Sequence, residues 1–322
     1  MKTRFNLISF VLLFFALPVF AANIQTNFIA PDGGDQKTPY ACSFHWFQLQ
    51  DGRVVGLDLI RSDDTDKYAL RAYYEDAAGS FVGMNAESAQ SNWLPFVTES
   101  EKLGAAKESG RDFLARGKNW IAGKVTTQGS FPIEFNLKIT PKTPGIGLGE
   151  IGLIFANLSV VDYTQVEVTG TITINGEVHS IRSSGKTSVH FGTKLPDAGF
   201  LATVGTQSPS LLMGSARSDN ARFGNQLIGD KAVIYSWGAG GISPLSFNIT
   251  KFTQPIDIGA SQFVRIDEVL GAFDHVLLGV PTRTGLAKAT LIKKNIWGET
   301  ETIDLGKVVF DFRGDAYLRT LP

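Results

Sequence analysis

The stretch Tyr163–Gly192, YTQVEVTGTITINGEVHSIRSSGKTSVHFG, decides the fold class. Val166, Val168, Ile172 and Ile174 recur at every second residue, the period of a half-buried strand and not of a helix. Asn175-Gly176 then turns the chain, since both central residues of a type I′ turn need positive φ, which Gly adopts freely and Asn tolerates. A two-residue turn places His179 opposite Ile172, whereas a three-residue turn sends His179 to the other face; the Asn-Gly pair favours the tight form. The return strand runs from Glu177 to Arg182, Ser183-Ser184-Gly185 breaks the pattern, and Lys186–Gly192 carries Ser188 and His190 on one face of an extended segment. That segment is where chemistry is expected.

Outward from this hairpin the chain keeps the same character. HWFQLQDGRVVGLDLIR, residues 45–61, reads as two strands around Asp51-Gly52, with both faces largely apolar. With a two-residue turn, Leu49 faces Val54, Phe47 faces Gly56 and His45 faces Asp58. A buried His45–Asp58 pair would titrate near neutral pH and serve as general acid or base. Residues 68–82 form another strand pair turning at Ala78-Gly79. Thr98-Glu99-Ser100-Glu101 has the form of a capping box opening a short helix that ends at Ser109-Gly110. Strands return at 120–126 and 133–139, closed by Pro141 and Pro144. Gly145-Ile146-Gly147-Leu148-Gly149 lacks the strand and helix that a phosphate-binding loop requires, so it is read as a mobile loop at a barrel mouth. Gly205–Ser210 is read as the join between two halves, and the second half holds short β-type runs at 211–216, 232–237, 245–252, 263–269, 276–280, 287–292 and 308–312.

The N-terminus carries Lys2 and Arg4, an apolar run from Leu7 to Phe20, and small residues suited to cleavage after Ala21 or Ala22. The run falls short of the ~20 residues a membrane span needs. Residues 1–22 are therefore expected to be a signal peptide, with the mature chain periplasmic or secreted and without a stable membrane anchor. The whole chain has 30 Lys and Arg against 31 Asp and Glu, so removing Lys2 and Arg4 leaves 28 against 31, a net charge of −3. That balance excludes nucleic acid as a partner. A single cysteine, Cys42, allows no internal disulfide and is read as a small buried hydrophobe. Four histidines, 45, 179, 190 and 275, show no metal-ligand spacing, so no metal and no cofactor are expected. No Gly-x-Ser-x-Gly elbow occurs. Asp274 and His275, adjacent in a strand, point to opposite faces and cannot form a dyad.

The hairpin ending at Arg182 followed by Ser184-Gly185-Lys186-Thr187-Ser188-Val189-His190-Phe191-Gly192, together with residues 45–61, resembles the lipocalin-like superfamily of carotenoid 1,2-hydratases, AttH-type proteins, kievitone hydratase and intramolecular Diels-Alderases. These stretches cover under a fifth of the chain. The resemblance implies an all-β chain of two lipocalin-like antiparallel β-barrels packed side by side, residues 23–205 and 206–322, with one or two short helices. It also implies an apolar pocket that folds or protonates a hydrophobic small molecule. The family carries a Gly-x-Gly-Tyr-x-Asp-His-Asn-x-Gly type of segment; aligned on Gly192, this chain has Ser188 in place of the Asp and Val189 in place of the His, leaving His190 as the ionisable group.

Three functions stay open on the sequence: an enzyme of hydratase, cyclase or isomerase type on an isoprenoid or polyketide-like substrate, a non-catalytic lipid or isoprenoid carrier, and a secreted carbohydrate-active β-protein. The candidate catalytic residues are His45, Asp58 and His190, and the candidate substrate-binding residues are Trp46, Phe47, Ser188, His179 and Trp237.

Overall fold

The computed structural model describes residues 23–25, 40–89, 94–97, 108–117, 119–142, 145–147, 151–153, 156–192, 197–204, 211–218, 221–228, 231–237, 255–259 and 261–314. The signal segment expected at residues 1–22, the capping box expected at Thr98–Glu101, the join expected at Gly205–Ser210 and the run expected at 245–252 lie outside the described residues. Every regular element among the described residues is a strand. In chain order these are β1 (Asn23–Gln25), β2 (Tyr40–Gln48), β3 (Val54–Ser62), β4 (Lys67–Glu75), β5 (Phe81–Ala89), β6 (Leu94–Val97), β7 (Phe113–Gly117), β8 (Trp120–Val125), β9 (Ile133–Pro141), β10 (Gly145–Gly147), β11 (Ile151–Leu153), β12 (Ala156–Ile174) and β13 (Glu177–Gly192). They continue with β14 (Asp197–Thr203), β15 (Leu211–Ser218), β16 (Ala221–Ile228), β17 (Lys231–Trp237), β18 (Ile256–Gly259), β19 (Gln262–Leu277), β20 (Val280–Lys294) and β21 (Thr300–Arg313).

These form two sheets. The first runs β5-β4-β3-β2-β13-β12-β9-β8-β7-β6, with β1, β10 and β11 attached beside β12, and the second runs β17-β16-β15-β14-β21-β20-β19-β18. The chain passes from the first sheet to the second between Gly192 and Asp197.

The opening hairpin folds with the tight turn. Ile174 pairs with Glu177 and Ile172 with His179, while Asn175 and Gly176 both take positive φ, 52° and 85°. The expected break at Ser183–Gly185 does not occur, because β13 continues unbroken to Gly192 and merely acquires a second partner. From Gly185 onward it pairs with β2 as well as β12. Glycine is needed there, since a Cβ would fall 2.3 Å from the Trp46 carbonyl oxygen. The expected loop at Gly145–Gly149 is corrected in part: Gly145–Gly147 is a strand paired with β1 and β12. The separate runs at 263–269 and 276–280 also merge, since β19 extends to Leu277 and turns at Leu278-Gly279.

Strands β2 to β4 are buried on both faces, as the two-sided apolar pattern of residues 45–61 requires. On the inner face Phe47, Leu57, Leu59 and Leu70 join Leu114, Ile121, Phe135 and Ile172 from the other arm of the same sheet, so the sheet curls around one core. On the outer face Tyr40, Cys42, Phe44, Trp46, Ile60 and Tyr73 pack against Ala202, Leu277, Leu286 and Val309 of the second sheet. Period-two alternation thus sends neighbouring residues of one strand into two different interiors.

Candidate active site at the seam between the sheets

The turn between β2 and β3 decides which side chains meet. The Leu49 N–H donates to Arg53 O at 2.8 Å, the Gly52 N–H to Leu49 O at 3.0 Å, and Gly52 takes φ of 85°. This is a three-residue loop, a type I turn followed by a left-handed glycine, in place of the two-residue turn expected. The register therefore slips by one residue: Phe44 pairs with Asp58, and His45 pairs with Leu57. A one-residue slip moves a side chain to the opposite face, so His45 and Asp58 do not form the pair expected from the sequence.

Asp58 enters the seam. Directly across β3 and β4 it meets Arg71, whose Nε donates to Asp58 Oδ2 at 2.5 Å. Arg71 Nη1 reaches across to the second sheet, donating to Thr284 Oγ1 at 2.9 Å and to Asp311 Oδ1. Thr284 and Asp311 are themselves cross-strand partners, with the Thr284 hydroxyl donating to Asp311 Oδ1 at 2.9 Å. Arg313 Nε donates to Asp311 Oδ2, also at 2.9 Å. Two carboxyls and two guanidiniums meet here, all fully buried, and their charges balance when both carboxyls are ionised.

Aromatic rings enclose the four charges. The Phe44 ring lies beneath both guanidiniums, 4.9 Å from Arg313 and 5.8 Å from Arg71, and is stacked beside Trp46. Trp46 Nε1 donates to the Tyr73 hydroxyl at 2.5 Å. That bond needs Gly56, which stands between Trp46 and Tyr73 in the cross-strand row: a Cβ there would lie 2.0 Å from the Tyr73 ring. His275 of β19 stacks on Phe273 at 4.5 Å.

The electrostatics separate the two carboxyls. Burial pushes Asp58 up to about 6, outweighing the Arg71 cation. Asp311 is equally buried, but Arg71 and Arg313 together hold it below the usual carboxylate range. Burial, aided by Arg71, pushes His275 down to about 3, so its ring is neutral. Asp58 Oδ1 and Arg313 Nη2 make no hydrogen bond. Buried polar atoms of this kind are normally satisfied by ordered water or by polar groups of a ligand.

The other candidates go elsewhere. His45 lies inside the first sheet, its Nδ1 3.1 Å from Thr187 Oγ1 and its Nε2 3.0 Å from Ser43 Oγ. Burial and the Arg116 charge push it down to about 3. Phe47 belongs to that inner core, whereas Trp46 faces the seam. His179 sits on the 163–192 hairpin, 3.6 Å from the exposed Glu177. Ser188 stands opposite Phe44, in the cross-strand row of Asp58 and Arg71, and His190 stands opposite Cys42. Their side chains, and that of Trp237, lie outside the described set. As expected, Asp274 and His275 diverge, Asp274 pairing with Arg283. Among the described residues no three His, Cys, Asp or Glu side chains converge on a metal position.

Sequence reading missed Arg71, Thr284, Asp311, Arg313 and Lys186. Lys186 is buried beside Trp46 in register and donates to Thr203 O at 2.6 Å, with burial pushing its amine down to about 7. Arg71, Asp311 and Arg313 shared one signal, a charge within an apolar strand run, in ALRAYY and VVFDFR; Thr284 and Lys186 carried none.

At the level of sequence, no family model and no curated protein matches. The fold is shared with an AttH protein and with kievitone hydratase. The chain superposes on an AttH protein of Nitrosomonas europaea over 92% of its length and 99% of that chain, at 10% identity and a TM-score of 0.53. It superposes on kievitone hydratase of Nectria haematococca over 92% of its length and 98% of that chain, at 10% identity and a TM-score of 0.56. A looser superposition, TM-score 0.40 at 10% identity over 86% of this chain and 89% of the other, relates it to CghA solved with Sch210972.

Proposed function

We propose that this chain is an exported enzyme that adds water to, or cyclises or isomerises, an alkene-bearing hydrophobic small molecule at the seam, and that each of its sheets closes as a lipocalin-like barrel. The observation that carries the reading is Asp58: a buried carboxyl with its pKa raised to about 6 and Oδ1 unpartnered, set among aromatic rings. A carboxyl whose pKa is raised toward neutrality keeps a protonated fraction there and is suited to protonating a carbon–carbon double bond. Phe44, Trp46 and Tyr73 offer π-faces to the carbocation that follows. For hydration, water then attacks the cation and loses a proton; the neutral His275 ring offers hydrogen bonds to orient that water, and the proton returns to Asp58. For cyclisation, an internal double bond attacks the cation instead, and the new cation loses a proton from a neighbouring carbon back to the Asp58 carboxylate. Arg71 keeps Asp58 in place, and Asp311, bonded to both Arg71 and Arg313, supplies counter-charge to the two guanidiniums. The fold shared with kievitone hydratase supports the same reaction class, and residues 1–22 support export.

The test begins with solvent extraction of the protein purified from its own host and mass analysis of what it holds. The extracted compound, returned to the protein in ¹⁸O-labelled water, should gain labelled water or change its ring count. Asp58→Asn should slow that conversion by about 100-fold or more, and the parent rate should fall as pH rises through about 6. A bound apolar compound recovered unchanged would establish the carrier reading, and a bound sugar the carbohydrate reading.

A further inference from the structure

Three hairpins of this molecule use one turn. At Leu49–Arg53, Asp76–Ser80 and Asn295–Glu299, the first residue's N–H donates to the fifth residue's carbonyl at 2.8 to 3.0 Å. In each the fourth residue is a glycine whose N–H donates to the first residue's carbonyl at 3.0 Å. Those glycines, Gly52, Gly79 and Gly298, take φ of 85°, 80° and 82°. The last two turns also share a cap: Asp76 Oδ1 accepts from the Ala78 and Ser80 amides, and Asn295 Oδ1 from the Trp297 and Glu299 amides. What differs is the outward pair. It is Gln50-Asp51 in the first and Ala77-Ala78 in the second, but Ile296-Trp297 in the third, 87% and 79% exposed.

The turn itself therefore does not call for large apolar residues, and the fold gains no burial from them. Their presentation is also rigid, because Asn295 Nδ2 donates to Glu299 Oε2 at 2.6 Å in addition to the backbone bonds. The strand ends below carry Lys293 and Lys294 on one side and Glu299 and Glu301 on the other, a charge balance of zero. We propose that the 295–299 tip is a membrane-docking wedge that inserts Ile296 and Trp297 into the interfacial layer of a lipid bilayer. Trp is favoured there because its ring is apolar and its N–H stays wet. Two adjacent side chains fall far short of the ~800 Å² per partner that a stable protein interface buries, yet suffice for shallow insertion between headgroups. The balanced charges set the lipid preference: zwitterionic headgroups are enough, and anionic lipid adds little. This inference is independent of the chemistry assigned to the seam.

The experiment is flotation of the full chain with phosphatidylcholine vesicles, with and without phosphatidylglycerol, alongside quenching of tryptophan fluorescence by brominated phosphatidylcholine. The full chain should float with both vesicle types, and Ile296→Ser/Trp297→Ser should bind about tenfold more weakly or worse. Trp297→Phe should lose the quenching by brominated lipid. Val178→Ser, a change at another exposed apolar residue, should leave flotation unchanged. Flotation that the serine pair does not weaken, that requires phosphatidylglycerol, or that is absent in the parent would overturn the proposal.

Discussion

Asp58 holds its proton more tightly in the folded chain than the ~3.9 of an unfolded aspartate. Unfolding therefore releases a proton between pH ~4 and ~6, and this residue's contribution to stability declines as pH rises across that window. The rise from ~3.9 to about 6 corresponds to about 3 kcal/mol. Asp58→Asn removes that slope, so the variant should gain up to about 3 kcal/mol relative to the parent between pH 4 and 7 in urea unfolding; a constant difference would show that Asp58 titrates normally. His45 has the opposite sign. Its folded value of about 3 lies below the ~6.5 of a free imidazole. The stability of keeping it neutral is complete above pH ~6.5 and is lost as pH falls toward 3. Its imidazole NMR signals should still report the neutral ring at pH 5, and protonation near 6 would contradict the buried Ser43–His45–Thr187 arrangement.

At the scale of elements, the contact between β5 and β19 depends on the absence of a side chain. The Phe273 ring lies where a Cβ on Gly83 would stand, 2.1 Å from the nearest ring carbon. Gly83→Ala must displace that ring, which stacks on His275 and lies 6.0 Å from Phe81. Overpacking of this kind costs about 1–3 kcal/mol, and the variant should lower the urea midpoint accordingly. A neutral result would mean that the second sheet adjusts freely against the first. Gly52→Ala is a contrasting case, for nothing lies within 4 Å of its Cβ position, so its expected cost of about 1 kcal/mol is conformational alone.

For the whole molecule, Arg71 is the main polar tie between sheets, since it binds Asp58 in one and Asp311 and Thr284 in the other. Lys307 adds a second tie to Glu75, at 2.6 and 2.7 Å, and Glu87 a third, accepting from the Leu278 amide at 2.6 Å. Arg71→Met leaves two buried carboxylates without their shared cation and should destabilise by about 3–5 kcal/mol. Replacing Asp58, Arg71, Asp311 and Arg313 together by Leu, Met, Leu and Met removes all four buried charges and should restore most of that stability while abolishing turnover, because a buried ionic cluster can be exchanged for apolar packing at little net cost. A quadruple variant as unstable as Arg71→Met would show that the charges themselves hold the sheets together.

Local chemistry made much of this legible in the sequence. The alternation of Val166, Val168, Ile172 and Ile174 and the Asn175-Gly176 turn set β12 and β13 in register, because both rest on backbone geometry within a few residues. The two apolar faces of residues 45–61 likewise announced a layer on each side. The register at Asp51-Gly52 was not legible, since Asp-Gly suits both a two-residue loop and a three-residue one with glycine in the left-handed position. One residue of slip then assigned His45 and Asp58 to separate interiors. Nor could the sequence join Arg71 to Asp311, 240 residues apart, because a charge inside an apolar run announces burial but not its partner. Only the packing of one sheet on the other supplies that counter-charge, and with it the environment that lets Asp58 keep a proton.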